Sequence, residues 1–134
     1  MQIKLKLETT IEEIQKQFTS LFPHLKLGFF RDLNQDQILT ANELIRNDKL
    51  KISELSDIAI SGTLEIDPLQ TIIDFEKSIL SQYGLQVQVF RKSGNAWLVT
   101  TSTDSKTFAE QEALAIEMNR TIEKAESSDY QEHD

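Results

Sequence analysis

The sequence predicts a single α+β domain, in which a tandem strand–helix–strand repeat forms a ferredoxin-like core with an added fifth strand and C-terminal helix. Three observations lead to this prediction. Residues 3–31 and 62–91 share the same apolar spacing within their strands and helices, although the turns into the helices differ by two residues, and both end in the dipeptide Phe-Arg. Within each unit the apolar pattern changes from alternation to helical spacing and back, which indicates a helix between two strands. A two-residue turn pair and a long amphipathic segment follow the second unit.

The first unit, residues 3–31, starts as a half-buried strand. Its apolar residues alternate with lysines, so that one face carries Ile3, Leu5 and Leu7. Thr10 and Glu13 form a capping box at the start of the following helix. The apolar stripe of this helix consists of Ile11, Ile14, Phe18, Leu21 and Phe22. Pro23 ends the helix, and alternation then returns in a second strand that turns Leu25, Leu27 and Phe29 inward and Lys26, Gly28 and Phe30 outward.

The second unit, residues 62–91, follows the same order. After a strand containing Leu64 and Ile66, Asp67 supplies an N-cap carboxylate and Pro68 suits the first helical position. The helix stripe consists of Leu69, Ile72, Ile73, Ile79, Leu80 and Tyr83. Gly84 suits the position after the helix, and the next strand turns Leu85, Val87 and Val89 inward and Gln86, Gln88 and Phe90 outward. A pseudo-twofold axis relating the units predicts the strand order 5-4-1-3-2, with both repeat helices on one face.

A hairpin follows the second unit. The pair Gly94-Asn95 predicts a two-residue turn that places Ser93 opposite Ala96, Lys92 opposite Trp97 and Phe90 opposite Val99. This register directs Trp97 and Val99 to the outer face of the sheet beside Phe90, whereas a three-residue turn would bury Trp97. A capping box of Thr107 and Glu110 then starts a last helix, whose stripe is Phe108, Ala115, Met118, Ile122 and Ala125. We expect the domain to cover residues 1–126, followed by an acidic tail, residues 127–134.

The outer face of this sheet is predicted to be aromatic toward strands 4 and 5. Apolar patches of this kind seldom stay uncovered on a monomer. Two covers are available: the last helix, which could lay Phe108, Met118 and Ile122 on the patch, and a second chain related by a twofold axis. We favour the helix because it follows strand 5 after a short loop.

Residues 32–60 form an insertion between the two units. A structureless loop of this length is uncommon, and the segment contains several apolar residues, so we expect short helices near 41–47 and 53–57. The insertion is either a binding lid or partner arm, or a packed cover over an edge of the sheet. We favour the cover, because an uncovered edge strand invites mispairing.

Part of the insertion resembles a calcium-binding EF-hand loop. Asp32, Asn34, Asp36 and Glu43 occupy positions 1, 3, 5 and 12 of that pattern, but Gln37 stands where the loop requires glycine. The segment is also entered from a predicted strand, whereas an EF-hand loop is entered from a helix. A polar loop with a capped helix is therefore the favoured interpretation and no metal site is predicted, with calcium binding by loop 32–43 as the alternative function.

Composition limits the remaining possibilities. The chain has 134 residues, a length typical of one domain, and its 14 basic and 22 acidic residues give a net charge of −8, which argues against nucleic acid as a partner. It contains no cysteine, so disulfides and thiolate sites are excluded. Neither a signal peptide nor an apolar run long enough for a membrane span is recognised, so a cytoplasmic location without membrane contact is predicted.

No catalytic or cofactor motif is found. The four glycines are widely spaced, no serine lies in a nucleophile-elbow motif, and the two histidines stand apart from other candidate ligands. The sequence therefore predicts no enzyme and no cofactor. It favours a non-catalytic protein-interaction or regulatory module, whose partner is another protein or a second copy of the chain.

One segment resembles a known family. Residues 87–104, VQVFRKSGNAWLVTTSTD, are similar to a hairpin in a family of small bacterial α+β proteins of unassigned function. The resemblance implies an α+β domain of bacterial origin and no particular activity.

Overall fold

The computed structural model describes residues 1–31, 39, 41–55, 62–100, 103 and 105–132, with residues 121–132 as backbone only. Within these residues the chain is an α+β fold of five strands and three α-helices. In chain order these are β1 (Gln2–Leu5), α1 (Ile11–Leu21), β2 (Leu25–Phe30), β3 (Gly62–Glu65), α2 (Ile72–Tyr83), β4 (Gln86–Ser93), β5 (Ala96–Val99) and α3 (Phe108–Glu132). No described helix is both long and apolar enough to cross a membrane.

The described strands form two antiparallel sheets rather than the single sheet predicted. β1 pairs with β3, and β4 lies between β2 and β5. The predicted order 5-4-1-3-2 is therefore correct for the neighbours β5–β4 and β1–β3, but wrong for β4–β1 and β3–β2.

Two glutamines of α1 hydrogen-bond to the edges of β1 and β2. The Gln17 side chain accepts from the backbone N of Lys4 at 2.9 Å and donates to its carbonyl at 3.3 Å, which satisfies an edge of β1. Gln15 Nε2 donates to the carbonyl of Leu27 at 2.9 Å on the edge of β2. Because these backbone groups of Lys4 and Leu27 already have hydrogen-bond partners, another strand cannot pair with them.

Most helix ends lie where the caps predict them. Thr10 accepts from the Glu13 backbone N, and Thr107 and Glu110 form both bonds of a capping box. The hydrogen bonds from Thr107 hold the pKa of the Glu110 carboxyl below its ordinary value. Gly84, with φ +66°, ends α2 as expected.

The predicted start of α2 at Asp67 is wrong. The N-cap is Thr71, whose hydroxyl accepts from Asp74 N at 3.2 Å. Asp67 instead closes the preceding turn, accepting from Leu69 N at 2.9 Å. Leu69 therefore lies outside the helix and is 76% exposed, although it fitted the predicted stripe.

The core is built around four phenylalanines from all three helices. Phe108 of α3 lies 5.1 Å from Phe22 and 5.0 Å from Phe75 between ring centroids, and Phe18 packs against all three. All four rings are buried. Helices α1 and α2 thus pack against each other, and α3 joins them there.

The position of α3 overturns the predicted cover of the outer face. Phe108 is buried in the phenylalanine core and cannot lie on the opposite side of the sheet. Gln111 also lies within hydrogen-bonding distance of Arg91, on the side of β4 that faces the core. The helix continues to Glu132 and so includes most of the predicted tail, while the side chain of Ile122 lies outside the described residues.

The described part of the insertion, residues 41–55, is tied to the domain at both ends. Arg31 N donates to the carbonyl of Glu43 and Ile45 N to that of Phe29, both at 2.9 Å, so this stretch extends the edge of β2. Further on, the carbonyl of Leu50 accepts from Ile11 N at 3.0 Å, at the start of α1. Where helices are predicted near 41–47 and 53–57, the structure has 3₁₀ turns at Ala41–Glu43 and Ile52–Glu54.

An ion pair adds to this attachment. Lys49 of the insertion and Lys16 of α1 both contact the Glu12 carboxylate, Lys16 at 3.0 Å. Hydrogen bonds from the ammonium groups of Lys49, which has the larger effect, and of Lys16 hold the pKa of the Glu12 carboxyl below its ordinary value. Residues 41–55 thus lie as a bonded strap across the edge of β2 and the start of α1.

Candidate functional site

The candidate site is the outer face, defined as the face of the β2–β4–β5 sheet directed away from the core. Strand alternation places nine side chains on it: Lys26, Gly28, Phe30, Gln86, Gln88, Phe90, Lys92, Trp97 and Val99. Two are cationic, four are apolar and none is acidic. This composition differs from that of the whole chain, in which acidic residues outnumber basic ones.

The hairpin register confirms the predicted direction of Trp97. Ser93 pairs with Ala96, Lys92 with Trp97 and Phe90 with Val99. Gly94 takes a positive φ of +60° in the turn, as a two-residue hairpin loop requires. Trp97 is 38% exposed and Val99 51% exposed, so a tryptophan and a valine lie side by side on the surface.

The centre of the outer face is an aromatic layer that depends on a glycine. The Phe90 ring lies across Gly28, where an added Cβ would stand 2.5 Å from its Cε2 atom. Phe90 also stacks on Phe30, with ring centroids 6.3 Å apart and planes 17° from parallel. Any side chain at position 28 would push the Phe90 ring away, so glycine is what allows the aromatic layer to lie flat on β2.

Lys26 contacts the exposed tryptophan. Its Nζ atom lies 5.8 Å from the centroid of the Trp97 ring, within the range of a cation–π interaction. The Trp97 ring therefore reaches from β5 over β4 toward β2. A cation and an indole held together in this way present a preformed surface to a partner.

A groove of about 390 Å³ separates the outer face from the strap. Its floor includes Gly28 and Phe90, and Trp97 and Lys26 line one side. The other side comes from the strap, where Leu44, Arg46 and Asp48 line the groove. With two cations and one carboxylate among its charged residues, the groove is locally basic in a chain of net charge −8.

The free edge of β5 adjoins this face. In a two-residue hairpin the residues next to the turn form a hydrogen-bonded pair, and bonded pairs then alternate along the ladder. Ala96 and Leu98 therefore bond to β4, while the backbone N–H and C=O groups of Trp97 and Val99 point to the open side. In the part of the chain described, no strand pairs with that side of β5.

The structure describes only one of the four calcium candidates. Asp32, Asn34 and Asp36 lie outside the described residues, and Glu43 is buried in the strap, where its carbonyl accepts from Arg31. The segment is entered from β2, as the sequence predicts. Among the described side chains, no group of three or more His, Asp and Glu residues is placed to hold a metal ion.

Two features of the site and its surroundings are not recognisable in the sequence. Leu44 and Arg46 reach the groove only because the strap runs along the edge of β2. His24 Nδ1 lies 2.7 Å from Glu112, an ion-pair geometry that ties α3 to the start of β2. Both features join residues far apart in the chain, so no local pattern indicates them.

Comparison with protein-family models, with curated proteins and with solved structures finds no match to this chain. The resemblance of residues 87–104 to a bacterial family stays a prediction.

Proposed function

We propose that the chain is a non-catalytic protein-interaction module that binds an extended, acidic and apolar segment of a partner protein on its outer face. The observation that carries this proposal is the exposed tryptophan held by a lysine on a face without carboxylates. The chain as a whole carries a net charge of −8, so this face is distinguished by both its charge and its aromatic residues.

The aromatic layer supports binding of protein. Tryptophan and other aromatic residues dominate the energetics of protein interfaces because they bury large areas with few rotatable bonds. Trp97 is already positioned by Lys26, and Phe90 by Gly28 and Phe30. Ordering these side chains on binding therefore costs little entropy, which favours affinity.

The charges support an acidic partner. Lys26, Lys92 and Arg46 surround the aromatic layer, and carboxylates of a bound segment would meet them. Aromatic residues flanked by cations can also bind single-stranded nucleic acid. The net charge of −8 repels a strand with one phosphate per nucleotide more strongly than a peptide in which carboxylates alternate with apolar residues, so we favour the peptide.

Trp97 is the only tryptophan of the chain, so its fluorescence reports on this site directly. We expect a peptide of about 12 residues alternating Glu with Leu and Phe to shift Trp97 emission to shorter wavelength and to saturate. Increasing the NaCl concentration from about 0.05 to 0.5 M should weaken this binding, because salt screens the charges. The same peptide with Lys in place of Glu should not bind.

A charge-matched pair of variants locates the interaction. Lys26→Glu should weaken peptide binding about ten-fold or more, as expected for loss of a favourable contact and gain of repulsion. Lys77→Glu changes the net charge equally from an exposed position on α2, on the other side of the sheet, and should bind like wild type. Equal effects of both variants would contradict the proposal, and so would binding of single-stranded oligothymidine in place of the peptide.

We also infer that the two halves of the fold are structural repeats. In both, the helix N-cap forms a bridge with a later segment, Thr10 with Lys51 and Thr71 with Thr107. The first helical N–H donates to the residue before that bridge, Ile11 to Leu50 and Ile72 to Lys106. Likewise, residues 43–45 border β2 as β5 borders β4.

The order of elements, β1-α1-β2-β3-α2-β4, also occurs in ferredoxin-like folds. We propose a relation to those folds for the order of elements alone.

A regulatory role, a cytoplasmic location and a bacterial origin stay predictions from the sequence. Calcium binding by residues 32–43 stays the alternative function, with three of its four candidate ligands outside the described residues.

A further inference from the structure

We propose that a second copy of this chain pairs with the first through β5, antiparallel and about a twofold axis at Leu98, so that two three-stranded sheets become one of six strands. This inference goes beyond the proposed function, since it concerns the edge of the sheet and a different partner.

The backbone geometry fits this pairing. The open-side N–H and C=O groups belong to Trp97 and Val99, two residues apart on β5. With the axis at Leu98, Trp97 of one copy lies opposite Val99 of the second copy. These residues can then exchange both hydrogen bonds, and the same pair forms again on the other side of the axis.

The side chains are equally self-complementary. Each Trp97 meets a Val99 of the second copy on the outer face, which pairs a large with a small apolar residue across the strands. The two Leu98 side chains meet on the opposite face. All four residues of β5 are uncharged and exposed, whereas unpaired edge strands usually carry a lysine, proline or bulge that prevents pairing.

The chain itself occupies part of two other described strand edges, those of β2 and β1. On the far side of the same sheet, β2 pairs with the strap at Phe30 and Leu44 and accepts a bond from Gln15. In the smaller sheet, the Gln17 amide bonds to both backbone groups of Lys4 on β1. Compared with these edges, β5 has backbone groups directed to the outside and apolar side chains on both faces, so it is the edge best suited to a second copy.

The net charge separates this dimer from the proposed acidic partner. Two chains of charge −8 repel one another, and salt screens that repulsion. Dimerisation should therefore tighten as the NaCl concentration increases, whereas binding of the acidic peptide should weaken. Because the two interactions depend on salt in opposite directions, each can be tested even if the other does not occur.

Sedimentation equilibrium of the full chain, from about 5 to 500 µM and in about 0.05 and 0.5 M NaCl, tests the dimer. We expect the mass to rise from the monomer value of 15.4 kDa toward twice that value, and at lower concentration in the higher salt. Val99→Pro removes an intermolecular donor but no bond to β4, and Val99→Lys places a charge in the paired strand. Each should raise the dimer dissociation constant about ten-fold or more.

Val99→Ile keeps the backbone donor and the apolar side chain, so it should dimerise like wild type. Circular dichroism checks that each variant is folded. If Val99→Pro does not fold, Val99→Lys is the variant that tests the pairing. A wild-type mass of 15.4 kDa at every concentration would overturn the proposal. A dimer that persists in folded Val99→Lys would overturn it as well.

Discussion

Phe108→Ala is expected to lower the free energy of unfolding by about 3–5 kcal/mol, the usual cost of removing a fully buried aromatic ring. The Phe108 ring packs at 5.0–5.9 Å between centroids against Phe75, Phe22 and Phe18. Removing it leaves a cavity between α1, α2 and α3 that these aromatic neighbours cannot close. The loss is a large share of the stability of an ordinary domain.

Urea unfolding followed by circular dichroism measures this effect. Ile116→Ala, on the same helix but 39% exposed, is the control, and it should cost less than about 1 kcal/mol. If the two substitutions cost the same, α3 would not be part of the core. For the same reason, deletion of α3 should unfold the domain, whereas a helix that only covered the outer face would leave the core intact.

Ile52→Ala is expected to cost about 2–5 kcal/mol. Ile52 is fully buried in the core, although it belongs to the strap between the two halves. Its backbone N donates to the carbonyl of Thr9 at 2.8 Å, so the side chain is anchored next to the start of α1. The cost arises because the substitution leaves a cavity at a point where the strap is bonded to the domain.

Leu69→Ala is the control for this substitution, since Leu69 is apolar but mostly exposed and lies outside the helices. It should change the free energy of unfolding by about 0.5 kcal/mol or less. If Ile52→Ala had an equally small effect, the strap would be a lid that opens without loss of stability. Urea unfolding of the two variants in parallel distinguishes these cases.

Local sequence patterns predicted the three α-helices and the hairpin, but neither the start of α2 nor the end of α3. Asp67 carries the same side-chain chemistry in an N-cap and in a turn, so the local pattern cannot distinguish the two. The difference is made by distant residues: Thr71 bridges to Thr107, and Ile72 N donates to Lys106. Helix α2 therefore begins where the segment before α3 covers its first turn.

The sheet order and the position of α3 depended on contacts that no local pattern contains. Gln15 and Gln17 look like ordinary polar residues of an amphipathic helix, yet they satisfy the edges of β2 and β1. The stripe that begins at Phe108 could pack on either face of the sheet. Helix α3 packs on the core side because the phenylalanine core between α1 and α2 buries the whole Phe108 ring.

The outer face was predicted better than the groove beside it. Alternation and the Gly94-Asn95 turn were enough to place Phe90, Trp97 and Val99 together. Arg46 reaches the groove only through the path of the strap, which depends on bonds to Phe29 and Arg31. A sequence pattern therefore indicates the aromatic part of the site, and the fold supplies part of its charge.

Amide chemical shifts of the ¹⁵N-labelled chain show directly whether the outer face is the protein-binding surface. On titration with the acidic, apolar peptide, we expect the largest shifts to fall on Lys26, Gly28, Phe90 and Trp97. The amides of Lys4 and Thr63, in the other sheet, should stay unchanged. The largest shifts on the β1–β3 sheet, or no saturable shift on the outer face, would contradict the claim.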